Sequence, residues 1–231
     1  MKATLFLGML LFTPLLTTPL HAQDLSDLND RLDEAAKVIH EIEKTPDKGI
    51  PDAIMRKANC VAVIPSVLKG AFIVGASYGQ GVVSCRTGHG WSAPVFIRLA
   101  GASFGFQIGG QATDLVLVAV NDRGLQDLLK SKFKIGADAS AAAGPIGRNA
   151  QAATDITLNA ELLTYSRTKG LFAGVDLNGA VVSQNQSDTD LFYGGKDQSY
   201  EHILHGAHPV PTGAHRFVVA LGKYFHTART R

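Results

Sequence analysis

The sequence predicts an α+β fold: a large curved antiparallel β-sheet, barrel- or sandwich-like, flanked by N- and C-terminal helices. Three observations carry that expectation. Apolar residues recur at helical spacing near both ends of the chain. Between them lie runs rich in valine, isoleucine and aromatic residues, punctuated by glycine. Most gaps between those runs are too short for the crossover of a dozen or more residues that parallel neighbours need, so the pairing is expected to be antiparallel.

The N-terminal helix is read from Asp24 to Lys44, where Leu25, Leu28, Leu32, Ala35, Ile39 and Ile42 fall at three- and four-residue steps. It carries seven acidic and three basic residues. Thr45-Pro46-Asp47-Lys48-Gly49 breaks it, and IPDAIMRKA predicts a second short helix with Pro51 in its first turn. VAVIPSVLKGAFIVGASYGQGVVSC, WSAPVFIRL, SFGFQIGGQ and TDLVLVAVN read as successive strands. A helix follows over Asn121–Ser131, with an asparagine suited to the N-cap and Leu125, Leu128 and Leu129 on one side. KFKIGADASAAAGPIGRNA, DITLNAELLTYSRTKG and LFAGVDLNGAVVS return to strand, with turns at Gly144-Pro145 and Asn178-Gly179. GAHRFVVALGKYFHTA closes the chain as a helix built on Phe217, Val218, Leu221 and Phe225.

The first residues read as an export signal. Met1-Lys2 leads into the uncharged run ATLFLGMLLFTPLLTTPL, and a cleavage site is expected after Ala22. Pro14 and Pro19 interrupt the run, whereas a membrane span needs about 20 apolar residues. No cysteine ends the run, so an acyl-cysteine anchor is not expected. The mature protein is therefore expected to be periplasmic or secreted, as a single globular domain. Its two cysteines, Cys60 and Cys85, read either as a disulfide, which suits an oxidising compartment, or as two separate buried thiols. A formal charge of +2 argues against a bulk nucleic-acid binder, so any anion site must be a local patch.

Several motifs invite chemistry. Gly75-Ala76-Ser77-Tyr78-Gly79 and Gly101-Ala102-Ser103-Phe104-Gly105 both match G-x-S-x-G, and Asp155 or Asp176, then His202, His205 or His208, follow in the Ser…Asp…His order of α/β-hydrolases. A nucleophile elbow requires a helix directly after the serine, yet both serines are followed by more strand. On the strand around Ser77, Phe72, Val74, Ala76 and Tyr78 share one face, and Ile73, Gly75, Ser77, Gly79 and Gly81 share the other. A glycine-lined face lets the strand bend or something pack against its backbone. The three histidines lie in YEHILHGAHP, broken by Gly206 and Pro209 and with no carboxylate or cysteine cluster beside them, so no metal site is expected. No P-loop and no G-x-G-x-x-G after a strand appears, so no nucleotide cofactor is expected.

Positive charge gathers in KSKFKIG, where Lys130, Lys132 and Lys134 alternate, and at Arg148, Arg167 and Lys169 near glycine-rich turns. Either these six form a solvated face, or they form a patch for anionic headgroups.

The segments VIPSVLKGAFIVGASYGQGVV, WSAPVFIRLAG, SFGFQIGGQATDLVLV, FKIGADASAAAGPIGR and YSRTKGLFAGVDLNG, with Tyr193-Gly194 beyond, resemble the SYLF-domain family, and within it the exported bacterial branch. The resemblance divides the chain into a signal peptide (1–22), an amphipathic helix and linker (23–49) and a SYLF-like domain (50–231). It implies lipid or membrane binding without catalysis; the actin and phosphoinositide roles of eukaryotic members are not carried over to an exported chain. The leading expectation is a lipid-binding protein that contacts headgroups through Lys130, Lys132, Lys134, Arg148, Arg167 and Lys169, with Trp91 or Phe104 adding apolar contact. The alternative is a cell-envelope interaction protein that docks a protein partner through its acidic N-terminal helix. A serine esterase is the remote third.

Overall fold

A computed structural model describes residues 25–44, 49–71, 74–104, 112–147, 160–168, 171–196 and 198–225. The chain runs α1 (Leu25–Glu43), α2 (Asp52–Lys57), β1 (Cys60–Ala71), β2 (Val74–Thr87), β3 (Gly90–Trp91), β4 (Val95–Phe104), β5 (Thr113–Ala119) and α3 (Asp122–Leu129). It continues through β6 (Lys132–Lys134), β7 (Ala141–Ala143), β8 (Leu162–Thr168), β9 (Leu171–Gly174), β10 (Val181–Gln184), α4 (Gln186–Tyr193), α5 (Tyr200–Leu204) and α6 (His215–Tyr224). The strands form one sheet in the order β6-β10-β4-β2-β1-β5-β8-β7, with β3 beside β2 and β9 beside β8.

This order forces curvature. Laid flat, the eight strands of the path would hold β6 and β7 about 34 Å apart at the usual strand spacing. The chain between them is Ile135–Ser140, which reaches at most about 25 Å when fully extended. The sheet therefore curls. The α+β expectation with terminal helices holds, and the pairing is antiparallel throughout except for β7 and β8, which run parallel.

Alternation gives the sheet two apolar faces. Val61, Val63, Val82, Phe96, Val116, Val118, Leu163 and Tyr165 point to one side, beneath Leu28, Leu32, Ala35 and Ile39 of α1 and Phe217 and Leu221 of α6. Each of the buried leucines and isoleucines contributes roughly 2 kcal/mol. Ala62, Ile64, Val83, Ile97, Leu99, Leu115 and Leu117 point to the other side, where Leu128 of α3, Phe133 of β6 and Ile203 and Leu204 of α5 cover them. Leu28, Leu32, Ala35 and Ile39 of the α1 stripe are thus spent on this core, while Leu25 at the helix start is 43% exposed.

Cys60 and Cys85 sit opposite each other on β1 and β2 and are joined as a disulfide. It closes a loop of 25 residues and stabilises the fold by about 3 kcal/mol in the chain-entropy account. The two glycine motifs are partners as well. GASYG on β2 pairs with GASFG on β4, Gly75 opposite Ser103, Ala76 opposite Ala102 and Ser77 opposite Gly101.

The glycine face of β2 permits close packing. A Cβ at Gly81 would lie 2.3 Å from the Val63 carbonyl oxygen and 2.9 Å from the Ile64 Cα, because the curled neighbouring strand crowds it. Gly81→Ala is expected to destabilise the protein by about 1–3 kcal/mol. Gly88→Ala, on an exposed turn with open space around it, is expected to shift stability by less than about 0.5 kcal/mol. Denaturant unfolding of both variants checks the pair.

Candidate functional site on the open sheet face

The face that carries α1 continues past the helix as an exposed surface. Cross-strand partners in a sheet point to the same side, so registers define rows. One row runs Leu68 (β1), Tyr78 (β2), Ala100 (β4), Val181 (β10) and Lys134 (β6). The next runs Gln80, Arg98, Ser183 and Lys132. Leu68 is 63% exposed and Tyr78 48% exposed, and Ala76 and Ala100 beside them are also exposed. An apolar tip and a cationic edge therefore share one surface.

Lys132 and Lys134 are exposed, on either side of buried Phe133, and among the described residues neither makes an ion pair. Lys130 differs. It ends α3, bonds Asp127 at 2.6 Å, and has its pKa raised chiefly by that hydrogen bond. Arg167 belongs to the same face but near the other end of the strand path, where Asp114 holds it at 2.6 Å. Asp114 also accepts from the backbone N–H of Ser66 at 2.9 Å, at the bulge where Ser66 takes a φ of 51°. Arg148 and Lys169 lie outside the described residues, as does the Phe104 side chain. The structure thus brings Lys132 and Lys134 together, gives Lys130 and Arg167 carboxylate partners, and sets Arg167 apart.

Trp91 requires a correction. It is 7% exposed and packs edge-on against Phe225 at 6.0 Å, with the Arg86 guanidinium 4.8 Å from its ring. Arg86 also donates to the carbonyls of Ala58 and Phe225, and burial lowers its pKa. This cluster ties the end of α6 to β2 and β3, and the indole has no free face for a lipid.

The serine motifs are not elbows, since each serine lies within a strand. The Ser77 hydroxyl donates to the Gly101 carbonyl at 3.2 Å, and among the described residues no hydrogen bond joins Ser77 to a histidine. Asp176 accepts from the Asn178 N–H in its own turn, and His208 stacks edge-on with Tyr193; Asp155 lies outside the described residues.

At the border between α1 and the open rows lies a polar cluster that the sequence does not announce. Arg31 of α1 donates to Asp188 of α4 and to Gln80 of β2, both at 2.6 Å, and its guanidinium lies 5.6 Å from the Phe96 ring centre. The Arg31 and Asp188 side chains are only 10% and 2% exposed. Gln80 in turn donates to the Tyr78 hydroxyl at 3.1 Å. Arg98 donates to the Asn185 Oδ1 at 2.5 Å and to the Ser187 hydroxyl at 3.2 Å.

The structure is thus a curled α+β sheet with one face that is apolar at its tip and cationic at its edge. Residues 100–224, more than half of the chain, match the family model described as "Ysc84: Las17-binding protein actin regulator". The chain belongs to that family, which bears out the SYLF resemblance. It is 35% identical over 196 residues to SH3 domain-containing YSC84-like protein 1 of Rattus norvegicus and of Homo sapiens, covering 82% of this chain and 57% of each relative. Protein YSC84 of Saccharomyces cerevisiae is 33% identical over 196 residues, covering 81% of this chain and 42% of that protein. The chain thus spans about half the length of these curated relatives. The family description names binding and regulation rather than a catalysed reaction.

The Arg31–Asp188 pair is shielded on both sides, so removing one partner leaves a buried charge uncompensated. Arg31→Met is expected to cost about 3 kcal/mol of stability. A shift in the denaturant midpoint worth less than about 1 kcal/mol would show that the pair does not anchor α1.

Proposed function

We propose that this domain is a non-catalytic module that binds anionic membrane surfaces through its open sheet face. The supporting observation is the shared face of Lys132 and Lys134, cations without an ion-pair partner among the described residues, and the exposed apolar tip at Leu68 and Tyr78. Each lysine near an anionic surface is worth about 1 kcal/mol, and an inserted leucine adds apolar burial. Among the described residues no helix is long and apolar enough to cross a membrane, so the contact proposed is peripheral. Export by the N-terminal segment belongs to the same reading, and the Cys60–Cys85 disulfide suits an oxidising compartment.

A second reading follows from the outer side of α1, where Asp27, Asp30 and Glu34 are exposed while Leu28, Leu32, Ala35 and Ile39 are buried. In that reading the acidic helix docks a basic protein partner of the cell envelope. The relatives' family description, which names Las17 binding and actin regulation, also supports a protein partner.

Vesicle co-sedimentation tests the first reading. Lys132→Glu with Lys134→Glu is expected to weaken binding to phosphatidylglycerol-containing vesicles by about thirtyfold or more, and raised salt is expected to weaken wild-type binding. Undiminished binding by the folded double variant would remove this face from the model.

A further inference from the structure

From the donors and acceptors at the start of α4, we infer that Arg98, Asn185 and Ser187 form an oxyanion site that receives a phosphate group. The backbone N–H groups at a helix start concentrate positive potential and favour anions. Here the side chain placed at that end is a cation. Arg98 reaches from β4 to the cap residue Asn185 and to Ser187 in the first turn, and among the described residues it has no carboxylate partner. Asp188, the acidic residue of that turn, is held by Arg31. A guanidinium at the positive end of a helix, without a counterion, is electrostatically incomplete.

The hydrogen-bond count points the same way. Asn185 is fully buried, and its Oδ1 takes Arg98, the Ser187 hydroxyl and the Asp188 N–H together. That is three donors on an oxygen with two lone pairs. Two further donors, Arg98 Nε and Asn185 Nδ2, are buried with no acceptor among the described residues. The amide that carries Nδ2 is held by its oxygen against the Arg98 guanidinium and the Asp188 N–H at the helix start. The cluster has a surplus of donors and lacks an acceptor, which an oxyanion supplies. Ser187 is exposed, giving a route in from solvent, and Lys132 lies two strands away in the row of Arg98 and Ser183.

Phosphate fits this set because it offers several acceptor oxygens and a charge that arginine pairs with well. The phosphate could come from a lipid headgroup or from solution. The first source rests on the membrane reading above; the second does not.

The test uses the mature chain with inorganic phosphate as the soluble probe, followed by the Arg98 Nε–H and Asn185 side-chain amide resonances and by thermal melting. Both resonances are expected to shift saturably, and the melting temperature to rise. Arg98→Gln is expected to weaken phosphate binding about tenfold or more. Asn185→Asp keeps a good cap and puts a permanent acceptor beside Arg98. That variant is expected to melt higher than wild type without phosphate and to lose the phosphate response. Phosphatidylcholine vesicles with and without phosphatidylglycerol form the second arm. If both variants also bind the anionic vesicles more weakly, the site is supported and lipid supplies the phosphate. If wild type takes phosphate but no vesicles, the site stands and the membrane reading falls. If neither probe moves the Arg98 and Asn185 signals, or if Asn185→Asp melts lower and keeps its phosphate response, the site is overturned. Vesicle binding through Lys132 and Lys134 that is untouched in both variants, while both lose the response to inorganic phosphate, supports the site, assigns its phosphate to solution and leaves the membrane reading in place.

Discussion

The clamp made by Arg31 holds together the elements that border the open sheet face. One guanidinium joins α1 to β2 through Gln80, to α4 through Asp188, and lies over Phe96 of β4. It fixes where the helix footprint ends and so where the sheet face opens. It also commits the first-turn carboxylate of α4, and Arg98, which donates to Asn185 and Ser187 at the start of that helix, has neutral partners only among the described residues. Burial raises the strength of such a pair and the cost of breaking it, so the clamp cannot slip without a large penalty. The border of the open face and the start of α4 both lie against this one side chain.

Curvature supplies the rest. Because β6 must come close to β7, the short strand carrying Lys132 and Lys134 is drawn in as an edge of the same sheet that presents Leu68 and Tyr78. The residues between them in the rows are small or half-buried: Ala100, Val181, Arg98 and Ser183. A low surface bounded by lysines at one side and an aliphatic–aromatic tip at the other suits a broad, planar, anionic partner better than a deep ligand.

Much of this was legible in the sequence, for definite reasons. The continuous apolar runs in VAVI and TDLVLVAV marked strands, which are buried on both faces, and α1 showed itself through a stripe whose Leu28, Leu32, Ala35 and Ile39 are buried. The paired cysteines were readable as a disulfide among two options. The short helices α4 and α5 were not foreseen, since QSDTDLFY and YEHIL lack an apolar period long enough to register; the asparagine and serine caps before them were the available signal. The alternation of Lys130, Lys132 and Lys134 suggested one extended run, but Lys130 belongs to the end of α3, where Asp127 is within reach. Trp91 looked like a lipid anchor by composition, and its burial is decided by Phe225, far away in the chain. Arg98 was hidden inside an apolar strand. Its importance rests on a cap residue 87 positions later, which no local pattern reveals.

The central claim is that the open rows of β1, β2, β4, β10 and β6 are the surface that meets the membrane. The most direct measurement is paramagnetic broadening of methyl resonances by a gadolinium chelate anchored to the headgroups of phosphatidylglycerol-containing bilayer discs. The account predicts the strongest broadening at Leu68, Ala76, Ala100 and Val181, and little at Val219, which is exposed on α6. Broadening strongest at Val219, or at Leu25 on α1, with the sheet methyls unaffected, would contradict it.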